Sequence, residues 1–275
     1  MKTFVGLALS FLVGSTFLFS QTLDTNTQNK SWKLKKLGIS LGSDQDMIMG
    51  MDHAHFLNQI RGNAPQIYEG LTFEEGTYSS FQCENPQISL NLVFLPNPQK
   101  NMEVSFIAFG IWNRIDAANY YNGVNSWDTS DPGFAHLSFD SSSDAVGLQS
   151  SIDFFYPVGN WLRLYAGGGT ALEYSFNRDL NITGQNVFAT PEGTLSFGSN
   201  TSTSNAYMPD YAFYELRNSL NQRVFAQVGL SFIWFKRVET GVTFRGGFGY
   251  RAIHSAPLTF TRLQSFSLNA NWLLK

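Results

Sequence analysis

Strict alternation of apolar and polar side chains through separated stretches is the feature that most restricts this chain. In RVFAQVGLSFIW (223 to 234) the even positions Val224, Ala226, Val228, Leu230, Phe232 and Trp234 are apolar, opposed by Gln227, Gly229 and Ser231. A period of two puts each set on one face of an extended strand, so such a stretch is greasy on one side only. The same pattern runs through QISLNLVF (87 to 94), AVGLQSSIDFFY (145 to 156), WLRLYAGGGTALEY (161 to 174), VETGVTFRGGFGYR (238 to 251) and SFSLNANWLLK (265 to 275). Two further stretches are less regular. EVSFIAFGIW (103 to 112) is apolar on both faces beyond Ser105, and WKLKKLGISLG (32 to 42) changes phase between Leu34 and Leu37, which predicts a bulge.

That makes eight strands, and their connections alternate in length. LPNPQKN, PVGN and KR make tight links after the second, fourth and sixth strands. Polar segments at about 44 to 85, 115 to 133 and 178 to 221 follow the first, third and fifth, and a shorter one around HSAPL follows the seventh. Short turns at one end, long loops at the other and an even strand count predict an all-β fold, an eight-stranded antiparallel transmembrane barrel. On this reading the short turns are periplasmic and the long loops extracellular.

A soluble barrel would also alternate, so aromatic placement decides. Phe94, Phe154, Tyr156, Trp234 and Trp272 share the apolar face near the short-turn end, and Trp112, Tyr174, Phe248 and Tyr250 lie near the long-loop end. Two such girdles are what lipid interfaces select. Composition agrees, with 25 Phe, 11 Tyr and 6 Trp but only 14% charged residues. Lys2 followed by FVGLALSFLVGSTFLF and Ser20 reads as a secretory signal over 1–21, leaving residues 22–275 as one outer-membrane domain. A formal charge of -3 with no basic cluster argues against a nucleic-acid partner. Cys83 is alone and forms no intramolecular disulfide.

Eight strands enclose a lumen just wide enough for side chains. The inward set includes Glu103, Asp153, Arg163, Glu173, Glu239, Arg245 and Arg251. Strand arithmetic sets Glu103, Asp153, Arg163 and Glu239 at similar depth, which predicts a salt-bridged plug with Arg163 and Arg245 as its cations. Inward glycines such as Gly167, Gly169 and Gly247 are expected to relieve crowding rather than to bind phosphate.

On this architecture, and on WLRLYAGGG, VFAQVGLSFIWF and the C-terminal SLNANWLLK, the chain resembles the small outer-membrane barrels of the OmpX and OmpA transmembrane type. It resembles especially the outer-membrane β-barrel domain family that includes PorT-like proteins. The resemblance implies insertion by the barrel assembly machinery, whose signal the alternating final strand resembles, although Leu274 and Lys275 depart from the common terminal Phe. It does not fix a task.

Several motifs bear on chemistry. DMIMGMDHAHF places Met47, Met49, Met51, His53 and His55 at every second residue, a ligand set that suits copper. Alternate side chains on a strand stand about 7 Å apart, so the extended run reads as the protruding end of the first strand rather than a metal site. His136-Leu137-Ser138 has the spacing of the lipid A deacylase pair but lacks that family's flanking Arg and Ser-Asn. SWDTSDPG lacks the ligand spacing of a calcium loop. No catalytic residue and no cofactor are expected. The long loops, which mix Ser, Thr and Asn with Tyr and Phe, are expected to contact an envelope protein partner while lipid covers the wall. A barrel enzyme acting on lipid or peptide and a narrow pore are the competing classes.

Overall fold

The computed structural model describes residues 32–48, 56–63, 66–67, 85–96, 101–122, 135–185, 187–189, 194–197, 206–207, 211–254, 256 and 258–274. Eight long strands carry the fold: β1 (Lys33–Ile48), β2 (Pro86–Leu95), β3 (Met102–Asn122), β4 (Ala135–Val158), β5 (Leu162–Gln185), β6 (Ser219–Trp234), β7 (Val238–Ile253) and β8 (Thr259–Leu273). Each pairs antiparallel with its neighbours in the chain, and β8 returns to β1, so the sheet closes. Closure leaves no edge within the ring, the condition for a sheet to stand in hydrocarbon.

The register shows how steeply the strands tilt. The row of directly paired residues that starts at Gln45 passes Gln264, Gly246, Ala226, Gly168, Ile152, Val104 and Phe94 and returns to β1 at Leu34. Such a stagger goes with a strand tilt of roughly 35–45°. A register shift between Leu34 and Lys36 is the bulge expected from the phase change in β1. It turns the Lys36 side chain into the lumen, where it is buried.

Alternation is realised inside out. Leu37, Ile39, Leu41, Leu90, Leu148, Val228, Phe244 and Leu268 are exposed on the outer wall, while Asn91, Ser105, Gln149, Ser151, Gln227 and Thr243 are buried in the lumen. Polar inside and apolar outside reverse the order of a soluble barrel, and a bilayer selects that arrangement. The eight strands therefore form a membrane-spanning barrel.

Inward glycines let this narrow lumen be packed with rings. A Cβ on Gly147 would meet the Phe109 ring, one on Gly169 the Phe225 ring, and one on Gly229 the Tyr165 ring. Phe109, Ile111, Ala145, Ala171, Phe225 and Leu263 join into a buried apolar layer across the barrel. Above it β3, β4 and β5 reach 21, 24 and 24 residues, far longer than the 10 residues of β2. The expected loop boundaries at 115 and 178 are thus corrected. Pairing with β4 carries these strands on to Asn122 and Gln185, because hydrogen bonding continues in water once the sheet has a partner.

The leader over 1–21, Cys83, the SWDTSDPG segment and Met49, Met51, His53 and His55 lie outside the described residues. Met47 continues β1, its backbone paired with Arg262.

Gly147→Val inserts methyl groups where the Phe109 ring sits, and overpacking of this kind costs about 1–3 kcal/mol. Urea unfolding of the refolded barrel is expected to show that loss. Gly246→Val, whose Cβ meets nothing within 4 Å, is the matched control and should shift stability by no more than about 0.5 kcal/mol.

Candidate functional site

At the short-turn end four charges alternate in a ring. Lys36 Nζ donates to Glu103 Oε2 at 2.7 Å and to Glu239 Oε1 at 2.9 Å. Across from it Arg163 Nη1 lies 3.2 Å from Glu239 Oε2 and 3.6 Å from Glu103 Oε1, its guanidinium 5.0 Å from the centroid of the Phe155 ring. Glu103, Arg163 and Glu239 are thus brought together. Asp153 and Arg245 sit deeper, and Gln227 joins them: its Nε2 donates to Asp153 Oδ1 at 2.5 Å and its Oε1 accepts from Arg245 Nε at 3.0 Å. The second cation of the ring is Lys36, and Arg245 makes no ion pair with it. Tilt is the cause, since neighbouring strands are staggered and equal distance from a turn is not equal depth.

A second network lies above the apolar layer. Glu173 takes both Arg114 Nη atoms, with Nη2 at 2.9 Å from Oε2, and Arg223 Nη2 at 2.9 Å from the same oxygen. Asn221 Nδ2 at 2.5 Å and Ser175 Oγ at 3.2 Å complete its shell. Arg223 also reaches Asp44 Oδ2 at 3.3 Å, and Arg251 Nη1 donates to Asp116 Oδ2 at 2.6 Å. Charges buried this deeply persist when opposite charges and hydrogen-bonding side chains replace water around them. The odd parity of Arg223 in its strand was a legible signal for it, whereas Arg114 was hidden by a break in phase.

That break is built at the barrel rim. Asn113 and Asn177 are non-glycine residues with φ of 50° and 48°, and each provides the extra residue of a bulge, in β3 and in β5. On the strand between them, the β3 bulge lies opposite Asp144 and the β5 bulge opposite the adjacent Ser143. Asp144 Oδ1 accepts from the Asn113 backbone N–H at 3.2 Å, and its Oδ2 from Asn177 Nδ2 at 3.1 Å. One carboxylate thus clamps two left-handed residues, a conformation that Asn tolerates better than most side chains.

The bulge at Asn177 reverses what β5 presents. Below it even positions such as Leu164 and Tyr174 face outward; above it Leu180 and Ile182 face inward and are fully buried. Phe56 stacks on Phe139 with centroids 5.3 Å apart, and Ile60 bridges to Leu216, so an ordinary apolar core forms above the membrane band. Arg178 fastens the turn that carries Phe56, donating to Gln59 Oε1 and to the Arg217 carbonyl, each at 2.6 Å.

The upper parts of β3, β4 and β5 and the strand Tyr211–Glu215, paired to β5, thereby make a four-stranded sheet standing above the rim. Beyond Ile115, whose N–H donates to Asn85 Oδ1 at 3.1 Å, β3 has no second strand neighbour among the described residues. Nor has Tyr211–Glu215. The sheet's outer face carries Asp140, Asp179, Asn181 and Glu215 together with Phe213, which is 64% exposed. Burial first, then the facing Glu215 carboxylate, holds Asp179 above the ordinary carboxylate range.

The girdle residues lie on the outer wall, with Trp112, Phe154, Tyr156, Tyr174, Trp234, Phe248, Tyr250 and Trp272 exposed and Phe94 half-covered by Trp32 and Phe106. Ser138 is buried and donates to Asp140 Oδ2 at 3.0 Å. The side chain of His136 lies outside the described residues. Among the described residues no three His, Cys, Asp or Glu side chains are grouped to hold a metal ion.

No family model matches the chain, and no curated protein matches it. Among solved structures it is similar to Ail, the attachment invasion locus protein of Yersinia pestis, at 10% identity over 88% of this chain and 100% of that one, with a TM-score of 0.34. The same protein in complex with the heparin analogue sucrose octasulfate gives 10%, 88%, 100% and 0.30. Its backbone structure in a phospholipid bilayer nanodisc gives 12%, 87%, 99% and 0.28. Scores this low leave the fold resting on the strand pairing itself.

Glu173→Gln removes the charge that two buried guanidinium groups share, and breaking a buried pair in this way costs about 3–5 kcal/mol. Chemical denaturation in micelles should show it. Arg61→Gln, which opens an exposed 3.4 Å pair with Glu215, should cost less than about 1 kcal/mol.

Proposed function

We propose that the chain is a non-enzymatic integral outer-membrane protein that works as a docking element, an interaction or accessory subunit of an envelope or secretion assembly. One observation carries this reading: a four-stranded sheet rises above the barrel rim on a core of its own, with an exposed Phe213 on its outer face and two edges that have no further strand among the described residues, the one at Tyr211–Glu215 capped only at Glu215, whose carbonyl accepts from the Arg61 N–H at 2.8 Å. Unpaired edges are templates for another chain, and an isolated aromatic on a polar face is the residue type that anchors interfaces. The barrel beneath serves as the mount. In this account the leader over 1–21 directs export, the assembly machinery inserts the barrel, lipid covers the girdled wall, and the sheet faces the cell exterior. The contiguous apolar layer in the lumen supports a closed barrel over a transport pore.

A photo-crosslinking residue placed at Phe213 or at Asn119 in whole cells is expected to capture one discrete protein adduct. The same residue at Leu148, on the lipid-facing wall, should capture none. Equal labelling at all three sites, or adducts at Leu148 alone, would sink the docking reading. Phe213→Asp should reduce recovery of the partner by about tenfold, the usual scale for an aromatic anchor, while heat-modifiable migration of the folded barrel stays unchanged.

A further inference from the structure

The opposite, short-turn end sorts its charges. Among the described residues every carboxylate at that end, Glu103, Asp153 and Glu239, is turned into the lumen. The outer rim there carries Lys33, Lys236 and Arg237, all exposed, and the half-exposed Lys35, and among the described residues no outward-facing Asp or Glu side chain accompanies them. These cations sit on adjoining elements, since the Leu273 N–H donates to the Arg237 carbonyl and the Leu274 N–H to the Lys35 carbonyl. A band of aromatic residues lies against them. Trp161 stacks on Phe232 at 5.8 Å, and Tyr156, Trp161 and Trp234 are exposed.

The hairpin between β6 and β7 adds an independent observation. Its apex residues Phe235 and Lys236 have φ of 49° and 56°, the left-handed conformation that two-residue hairpins normally give to Asn and Gly. Phe235 is 93% exposed, so no packing inside the protein repays the strain. Strain held at an exposed site points to work done by the side chains themselves. An aromatic ring and an ammonium held out together below an interfacial aromatic band match the two layers of a lipid headgroup region, apolar above and anionic below.

We infer that this cationic and aromatic collar binds the phosphate groups of anionic phospholipids in the leaflet at the short-turn end, with Phe235 seated among the headgroups. The inference rests on the membrane-spanning reading of the barrel. The occupant is lipid rather than soluble protein because the cations adjoin the exposed aromatic band of the lipid-facing wall, where a membrane-spanning barrel meets headgroups.

The test reconstitutes the whole mature chain into phosphatidylcholine vesicles holding a minority of phosphatidylglycerol. Spin-labelled forms of the two lipids report how much of each is motionally restricted at the protein. A preference for phosphatidylglycerol of about fivefold is expected, the scale of one cation near a phosphate, and it should vanish in high salt. The combined Lys33→Gln, Lys35→Gln, Lys236→Gln and Arg237→Gln variant should lose it. Phe235→Asn with Lys236→Gly should raise the unfolding midpoint by relieving the turn while reducing the preference, which a purely structural apex would not do. Restricted lipid without preference, or a preference that survives the four substitutions, overturns this inference alone. No restricted component for either lipid would mean that the membrane reading had failed first.

Discussion

Charge neutralisation inside a lumen no wider than its own side chains is the constraint on which the rest of this structure depends. Lipid outside turns the polar side chains of the membrane-spanning stretches inward, and a narrow barrel leaves little bulk water to solvate them. The protein meets this with two separate networks, the Lys36, Glu103, Arg163 and Glu239 ring below and the Glu173-centred cluster above. Between them the Phe109 and Phe225 layer contributes ordinary packing, made possible where glycine leaves room for a ring. The networks sequester carboxylates so completely at the lower end that the outer rim is left cationic.

The second organising device is the paired bulge at Asn113 and Asn177. Both hang on Asp144, and together they divide the molecule into a part whose apolar residues face lipid and a part whose apolar residues face one another. Continuous strands thus serve two solvents. The sheet above the rim is continuous with the barrel through β3, β4 and β5, which holds its edges in place.

Most of the barrel was legible in the residue order because period-two alternation survives any tilt. Strand number, the bulge in β1 and the outward aromatic set all followed from it, and the tight links at PVGN and KR from their turn residues, although the second turn also takes in Phe235. The lumen partners were only partly legible. Glu103, Arg163 and Glu239 share a network, but Lys36 was hidden by the bulge that turns it inward, and Arg245 lies deeper than counting along strands suggests. Loop boundaries failed for a different reason. Asp116 and Asn119, or Asp179 and Asn181, look like loop residues by composition, yet pairing with a neighbouring strand satisfies their backbones.

What the sequence by itself determined is the class of solution: one-sided strands of even number, closed on themselves, with aromatic residues at two levels of the apolar face. Local chemistry suffices for that, because each strand's facing depends on its own alternation. What only the tertiary structure decided is where that facing reverses and which charges meet. The even-numbered series of β5 runs Leu172, Tyr174, Phe176, Arg178, Leu180 and Ile182, and although Arg178 breaks its apolar character, the apolar residues on either side keep the same parity, so the series does not show that they face lipid below and a protein core above. The change comes from one inserted residue held by a carboxylate on the next strand, and the meeting of charges comes from stagger around a closed ring. Both are relations between strands, and a pattern read along one strand cannot contain them.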